Sequence, residues 1–104
     1  MYRQGDVLIV PIKAMPKNVE AVQREKGKAV VAHGEATGHV HAVEDVRAAL
    51  FSDPRTTEVF MLVAGDAPVA LEHEEHNPIN VPPGTYQVLR QREYAPGAVR
   101  NVAD

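Results

Sequence analysis

Short apolar runs separated by turn residues recur along the chain at roughly ten-residue intervals, the rhythm of sandwiches and barrels. Val7-Leu8-Ile9-Val10 follows the turn pair Gly5-Asp6 and is rich in β-branched side chains, so it reads as a buried strand, and Pro11 sets it near an edge or a strand end. Residues 13–27 are polar, carry Pro16 and Gly27, and read as an excursion with at most a short helical turn. Residues 28–33 and 39–43 are β-compatible and flank Gly34-Glu35-Ala36-Thr37-Gly38, which predicts a hairpin whose two loop glycines adopt positive φ.

Further on, Val46, Ala49 and Leu50 share one helical face, which predicts a short helix over 44–51 ended by Asp53-Pro54. Val59 to Ala64 is the most hydrophobic segment, and Gly65-Asp66 joins it to alternating residues 69–73, predicting a second hairpin. Asn77-Pro78 and Pro82-Pro83-Gly84 bracket Ile79 and Val81; residues 86–94 are the longest strand candidate, and Pro96-Gly97 opens a polar tail. The expectation is an all-β protein: a small barrel or sandwich of six or seven short strands, with room for one short helix.

Composition narrows this picture. A chain of 104 residues has room for one core, so residues 1–104 are read as a single β-domain. With 44% hydrophobic but only 5% aromatic residues, that core is built from Val, Ala, Leu and Ile and leaves little space for a bulky ligand. A formal charge of −3 without a long Lys/Arg run speaks against a nucleic-acid surface. The absence of cysteine removes disulfides, thiolate zinc sites and thiol nucleophiles, leaving His and carboxylate for any metal. The first apolar run, Val7 to Ile12, is too short for a signal h-region or a membrane span, so a cytoplasmic protein without a membrane partner is expected.

The candidate chemistry lies in the histidines. His33, His39 and His41 fall within nine residues, His73 and His76 within four, and all five border predicted turns. On a strand His39 and His41 point the same way, spaced to meet one metal ion or one polar group. His33 joins them if it pairs opposite His39, whereas a register shifted by one residue turns it to the other face. His73-Glu74-Glu75-His76 is not the His-Glu-x-x-His protease signature: its histidines are three apart and Asn77-Pro78 follows at once. A turn at Glu74-Glu75 would bring both rings toward one centre, with Glu72, Glu74 or Glu75 supplying a carboxylate. Arg90 and Arg92 read as side chains snorkelling from a sheet edge, the alternative being a polar interior where they pair with carboxylates.

Three functions follow. The leading expectation is a metal-binding β-domain in which His39 and His41 are the core ligands of a divalent metal ion of unspecified identity, and His33, His73 or His76 complete the site. Glu35 or Glu75 would act as acid/base in metal-assisted hydrolysis or oxygen chemistry on a small polar ligand. The alternative is a non-enzymatic accessory module that self-associates through sheet edges into a homo-oligomer. Metal-free His/Glu chemistry, such as phosphodiester cleavage, ranks last because the His-x-Thr or His-x-Ser pair of two-histidine phosphoesterases is missing.

Two resemblances add to this reading. The segments YRQGDV at 2–7, HGEATGHVHAV at 33–43 and LEHEEHNPINVPPGTYQVLRQREY at 71–94 resemble a family of small uncharacterised bacterial and phage-encoded proteins, which implies no particular activity. More loosely, His39-Val40-His41 with Glu44, and the turn Pro82-Pro83-Gly84, resemble the two motifs of cupins, β-barrels that often bind a metal. Glu44 comes one residue early for that pattern and no histidine follows Gly84 at the cupin distance, so the resemblance implies a metal site in a β fold and no substrate.

Overall fold

A computed structural model describes residues 1–34 and 38–93, Glu93 as backbone only. Among these residues the fold is all-β, as the pattern predicts. The strands are β1 (Tyr2–Gln4), β2 (Val7–Pro11), β3 (Glu20–Ala21), β4 (Ala29–His33), β5 (Val40–Val43), β6 (Ala48–Ser52), β7 (Val59–Val63), β8 (Val69–Leu71), β9 (Ile79–Val81) and β10 (Gly84–Arg90). A 3₁₀ turn over Gln91–Glu93 follows. Six strands form an antiparallel sheet in the order β1-β2-β10-β7-β6-β3, and β4-β5 and β8-β9 are separate antiparallel pairs.

Alternation decides which face is buried. Val7 and Ile9, Leu50 and Ala48, Met61 and Val63, and Tyr86 and Val88 lie two apart on their strands and turn toward the same core. The two hairpins cover that face with Ala29, Val31, Val43, Val69, Leu71 and Val81. The layers form a sandwich-like body, and the sheets do not close into a barrel. Paired backbone bonds between Ala42 and Glu72, 3.0 and 2.9 Å, stitch β5 to the end of β8. The two histidine-bearing segments are thereby fixed side by side.

Several local expectations are corrected. The predicted helix over 44–51 is a turn followed by β6, because β6 pairs with β7 along its whole length and Arg24 holds the carbonyls of Glu44 and Ala48, both at 2.9 Å. The predicted hairpin of 59–64 with 69–73 does not form. β7 already has β10 and β6 on its two sides, so β8 crosses to the other layer and pairs with β9. Arg47 clasps the crossing, its Nη1 donating to Ala67 O at 2.6 Å and its Nη2 to Pro68 O at 3.2 Å. Gly38 has φ +83°, as expected of the hairpin loop, but Gly34 is not in the left-handed region. No described helix is long and apolar enough to cross a membrane.

Candidate metal centre

The site is assembled from β1, the start of β5 and the bend that follows β8. His41 lies within β5, opposite Ala32, and alternation turns its ring inward, where it is only 2% exposed. A buried imidazole needs a partner, and Gln4, also 2% exposed, provides one: His41 Nδ1 stands 2.9 Å from Gln4 Oε1. The orientation of the Gln4 amide follows from its other contacts, since Nε2 donates to Leu71 O at 2.8 Å and to Asn77 O at 3.0 Å. Oε1 therefore accepts, Nδ1 of His41 carries the proton, and Nε2 is the bare nitrogen. Desolvation, reinforced by the neighbouring His73 and the positive charge of Arg90, pushes the His41 pKa down to about 4, so the ring is neutral at pH 7.

The bend at 74–76 brings the second pair in. Ring centroids of His41 and His73 are 4.2 Å apart, those of His73 and His76 4.8 Å, and those of His41 and His76 6.0 Å. His39, one residue before β5, has its ring 5.7 Å from that of His73 and edge-on to it. Glu75 addresses two of the rings at once. Its carboxylate accepts from His39 Nδ1 at 3.0 Å, and its backbone N–H donates to His73 Nδ1 at 3.0 Å. Glu74 accepts from Val40 N at 3.1 Å, and hydrogen bonds from its own amide and that of Val40 hold its carboxyl below the usual range despite some desolvation. One ligand atom from each of His39, His73 and Glu74 lies within 4.8 Å of the other two.

Two glycines give the rings room. A Cβ on Gly5, whose φ is +60°, would stand 2.7 Å from His76 Nε2, and one on Gly34 would stand 3.1 Å from both His39 O and His73 Nε2. Gly34 thus serves close approach and not a special φ. The two glycines, Asp6, Glu75 and the rings of His39, His41, His73 and His76 line an open pocket of about 300 Å³, while Glu74 lines a neighbouring one that also borders His73. Asp6 is itself paired with Arg90 at 3.0 Å, so Arg90 has the carboxylate partner that the polar-interior alternative required.

A family model described as a domain of unknown function, DUF8820, matches residues 3–91. The chain belongs to the DUF8820 family. The span matched by the DUF8820 model includes Gln4 and all five histidines. No curated protein and no solved structure matches the chain.

In this DUF8820 domain, four of the five histidines expected to serve a metal are gathered: His39, His41, His73 and His76. His33 is not. It pairs with Val40 instead of His39, after a bulge between Val30 and Ala32, and alternation sends its side chain to the opposite face. There it is 66% exposed and stands 3.3 Å from Glu25. Glu75 is at the pocket with its carboxylate engaged by His39, while Glu35 lies outside the described residues. Glu44, the acidic residue of the cupin-like motif, is exposed and 3.9 Å from Lys28 Nζ. Arg92 falls in the 3₁₀ turn, beyond the strand on which alternation with Arg90 was expected. Sequence reasoning missed Gln4, Gly5 and Asp6 as parts of the site. Their signals are membership of the YRQGDV segment and position: they form the turn that delivers β1 to β2, and Gln4 is a polar residue registered against the buried Val7.

Proposed function

We propose that this DUF8820 domain binds one divalent transition-metal ion in the histidine pocket and uses it on a small polar ligand, in metal-assisted hydrolysis or oxygen chemistry. The observation that carries the reading is the convergence of four imidazoles from two distant segments. Two imidazoles on one tetrahedral ion, at about 2.0–2.1 Å per bond, put their ring centroids roughly 5 Å apart. Four of the six ring pairs, three of them made by His73, stand 4.2 to 6.0 Å apart and bracket that value, and one ligand atom from each of His39, His73 and Glu74 lies within 4.8 Å of the other two. The Nδ1 contacts of His41 with an amide oxygen and of His39 with a carboxylate are the outer-shell partners that orient metal-binding histidines.

Electrostatics favours a metal over metal-free acid/base chemistry. A general base works best with a pKa near the operating pH, and His41, held at about 4, is far below it. A ring that is already neutral releases no proton when it takes a metal, so the same depression removes one cost of binding. The self-association reading has less support: the large hydrophobic side chains exposed among the described residues are Met1, ahead of β1, Val46, between β5 and β6, and Leu62, within β7.

Calorimetry and metal analysis on protein lacking a His tag test the proposal with Zn²⁺, Co²⁺, Ni²⁺ and Mn²⁺. About one equivalent of at least one ion is expected to bind. At a hundredfold excess over Kd the gain is about 2.7 kcal/mol, which for a domain of this size raises Tm by about 10 °C or more. His39→Ala and His41→Ala should weaken binding on the order of 100-fold, and His33→Ala should leave it within about twofold. Absence of bound metal, with Tm unmoved by every ion, overturns the proposal.

A further inference from the structure

Resting on that reading, we propose that His39, His73 and Glu74 hold the ion, and that its entry displaces the backbone N–H of Glu75 from His73, so that the 74–76 bend changes conformation as the site loads. Each of the three residues offers a ligand atom within 4.8 Å of the other two. His39 is prepared for an ion. A carboxylate can only accept from a ring N–H, so Glu75 holds the proton of His39 on Nδ1 and leaves Nε2 with its lone pair. Glu74 approaches from the neighbouring pocket, its Oε2 held by Val40 N at 3.1 Å and standing 4.0 Å from His73 Nε2. His73 borders both pockets, so the ion stands in the wall between them. A Cβ on residue 34 would lie 3.1 Å from His73 Nε2, and glycine keeps that approach open. The adjacent glutamates thus have different parts: Glu74 is a ligand, and Glu75 is a positioning residue that orients His39.

His73 differs from His39 in this respect. A neutral imidazole has one N–H and one lone pair. The backbone N–H of Glu75 can only donate, and at 3.0 Å from Nδ1 it occupies the lone pair there, which puts the ring proton on Nε2. The ion and the Glu75 amide therefore compete for a single lone pair. When the ion takes Nε2, the ring carries its proton on Nδ1 instead, moved by exchange with water and with no net gain or loss. Two N–H groups then face each other where the hydrogen bond was, and the amide must turn away. The carboxylate of Glu75 can stay on His39 meanwhile, so the change falls on the backbone of the bend. Glu74, Glu75 and His76 are all exposed, and the bend moves against solvent and not against the core. Metal occupancy is thereby converted into the shape of one surface segment.

The test uses Zn²⁺ and ¹⁵N-labelled wild-type protein, so that it does not depend on whether a variant folds. Without metal, the His73 ¹⁵N chemical shifts should show Nδ1 bare and Nε2 protonated. On saturation with Zn²⁺ they should show Nε2 bound and Nδ1 protonated, and the Glu75 amide should exchange with solvent about tenfold faster, the worth of one hydrogen bond. His73 shifts that do not respond to Zn²⁺, or a Glu75 amide that keeps its exchange rate, overturn the inference. Zn²⁺ affinity then separates the glutamates. Glu74→Gln retains an oxygen for Val40 N but loses the carboxylate, and should bind on the order of 100-fold more weakly. Glu75→Gln still accepts from His39 and should stay within about tenfold of wild type, and Glu72→Gln, in the same pocket as Glu74, within about threefold. Wild-type affinity in Glu74→Gln, or an equal loss in Glu75→Gln, overturns the ligand assignment. Wild-type protein that binds no ion at all overturns the metal reading and this inference together, whereas Zn²⁺ binding that leaves His73 and Glu75 unchanged overturns this inference alone.

Discussion

Replacing Gln4 by Leu tests whether one buried amide organises the pocket. In wild-type protein the Gln4 side chain makes three hydrogen bonds, to Leu71 O, to Asn77 O and from His41 Nδ1, at 2.8 to 3.0 Å. Leu fills a similar volume and makes none of them. Asn77 is exposed and can turn its carbonyl to water, but Leu71 and His41 are buried at 0% and 2% exposure. Two buried groups then lose their side-chain partner, at about 1–3 kcal/mol each. Less the gain from the more apolar side chain, the expected loss is about 2–4 kcal/mol, a sizeable part of the roughly 5–15 kcal/mol that holds a domain together. With a urea m value of about 1–3 kcal/mol/M, the denaturation midpoint should drop by about 1–2 M with m unchanged. Loss of the His41 tautomer should also weaken metal binding by about 10–100-fold. A midpoint within about 0.2 M of wild type, together with undiminished metal affinity, would refute the assignment of Gln4 as the residue that positions His41.

Two further predictions rest on the same pocket. The depressed pKa of His41 means that the unfolded chain binds a proton more readily than the folded one, so this contribution to stability is complete above about pH 6.5 and is lost as pH falls toward about 4. Its size is at most about 3 kcal/mol, and urea midpoints of metal-free protein between pH 7 and pH 4 should fall accordingly, with a shallower fall in His41→Gln. Gly5→Ala places a Cβ 2.7 Å from His76 Nε2 on a backbone of φ +60°, so it should cost about 1 kcal/mol or more and displace His76, lowering both Tm and metal affinity. An alanine at position 5 with wild-type Tm and metal affinity would show that His76 has room to spare.

The parts of this fold legible in the sequence are those fixed by local period and local turns. Residues 29–33 and 40–43 pair as the hairpin that two β-compatible runs and a glycine-flanked loop predict, and His39 and His41 border one pocket as a period of two leads one to expect, although His39 stands one residue before β5. What alternation cannot supply is register. The bulge between Val30 and Ala32 inserts one residue, and that single step moves His33 from the face of His39 to the other side of the hairpin. The same limit misled the reading of Gly65-Asp66. A turn pair between two apolar runs looks alike whether the chain folds back in the same sheet or crosses to another, and the outcome rested on β10 and β6 occupying both sides of β7. For 44–51, tertiary pairing with β7 and the grip of Arg24 on nearby carbonyls overrode a weak helical face.

Gln4 marks a different boundary. It is 37 residues from His41, 67 from Leu71 and 73 from Asn77, and although it lies in the YRQGDV segment, neither charge nor periodicity gives it a role different from any other polar residue before a turn. Yet it is the residue through which the site acquires a defined chemistry. Leu71 and Asn77 stand at the two ends of the segment that carries His73 and His76, so an amide bonded to both carbonyls closes that loop like a clasp. Its remaining oxygen then fixes the tautomer of the buried ring on the neighbouring hairpin. Loop closure and tautomer are therefore coupled: a change that opens the 72–78 segment also frees His41 Nδ1, and a change at His41 is felt at the base of the loop. Because stability and metal affinity share this one side chain, they should fall together in Gln4→Leu but separate in His33→Ala, where the ring is exposed and stands outside the pocket.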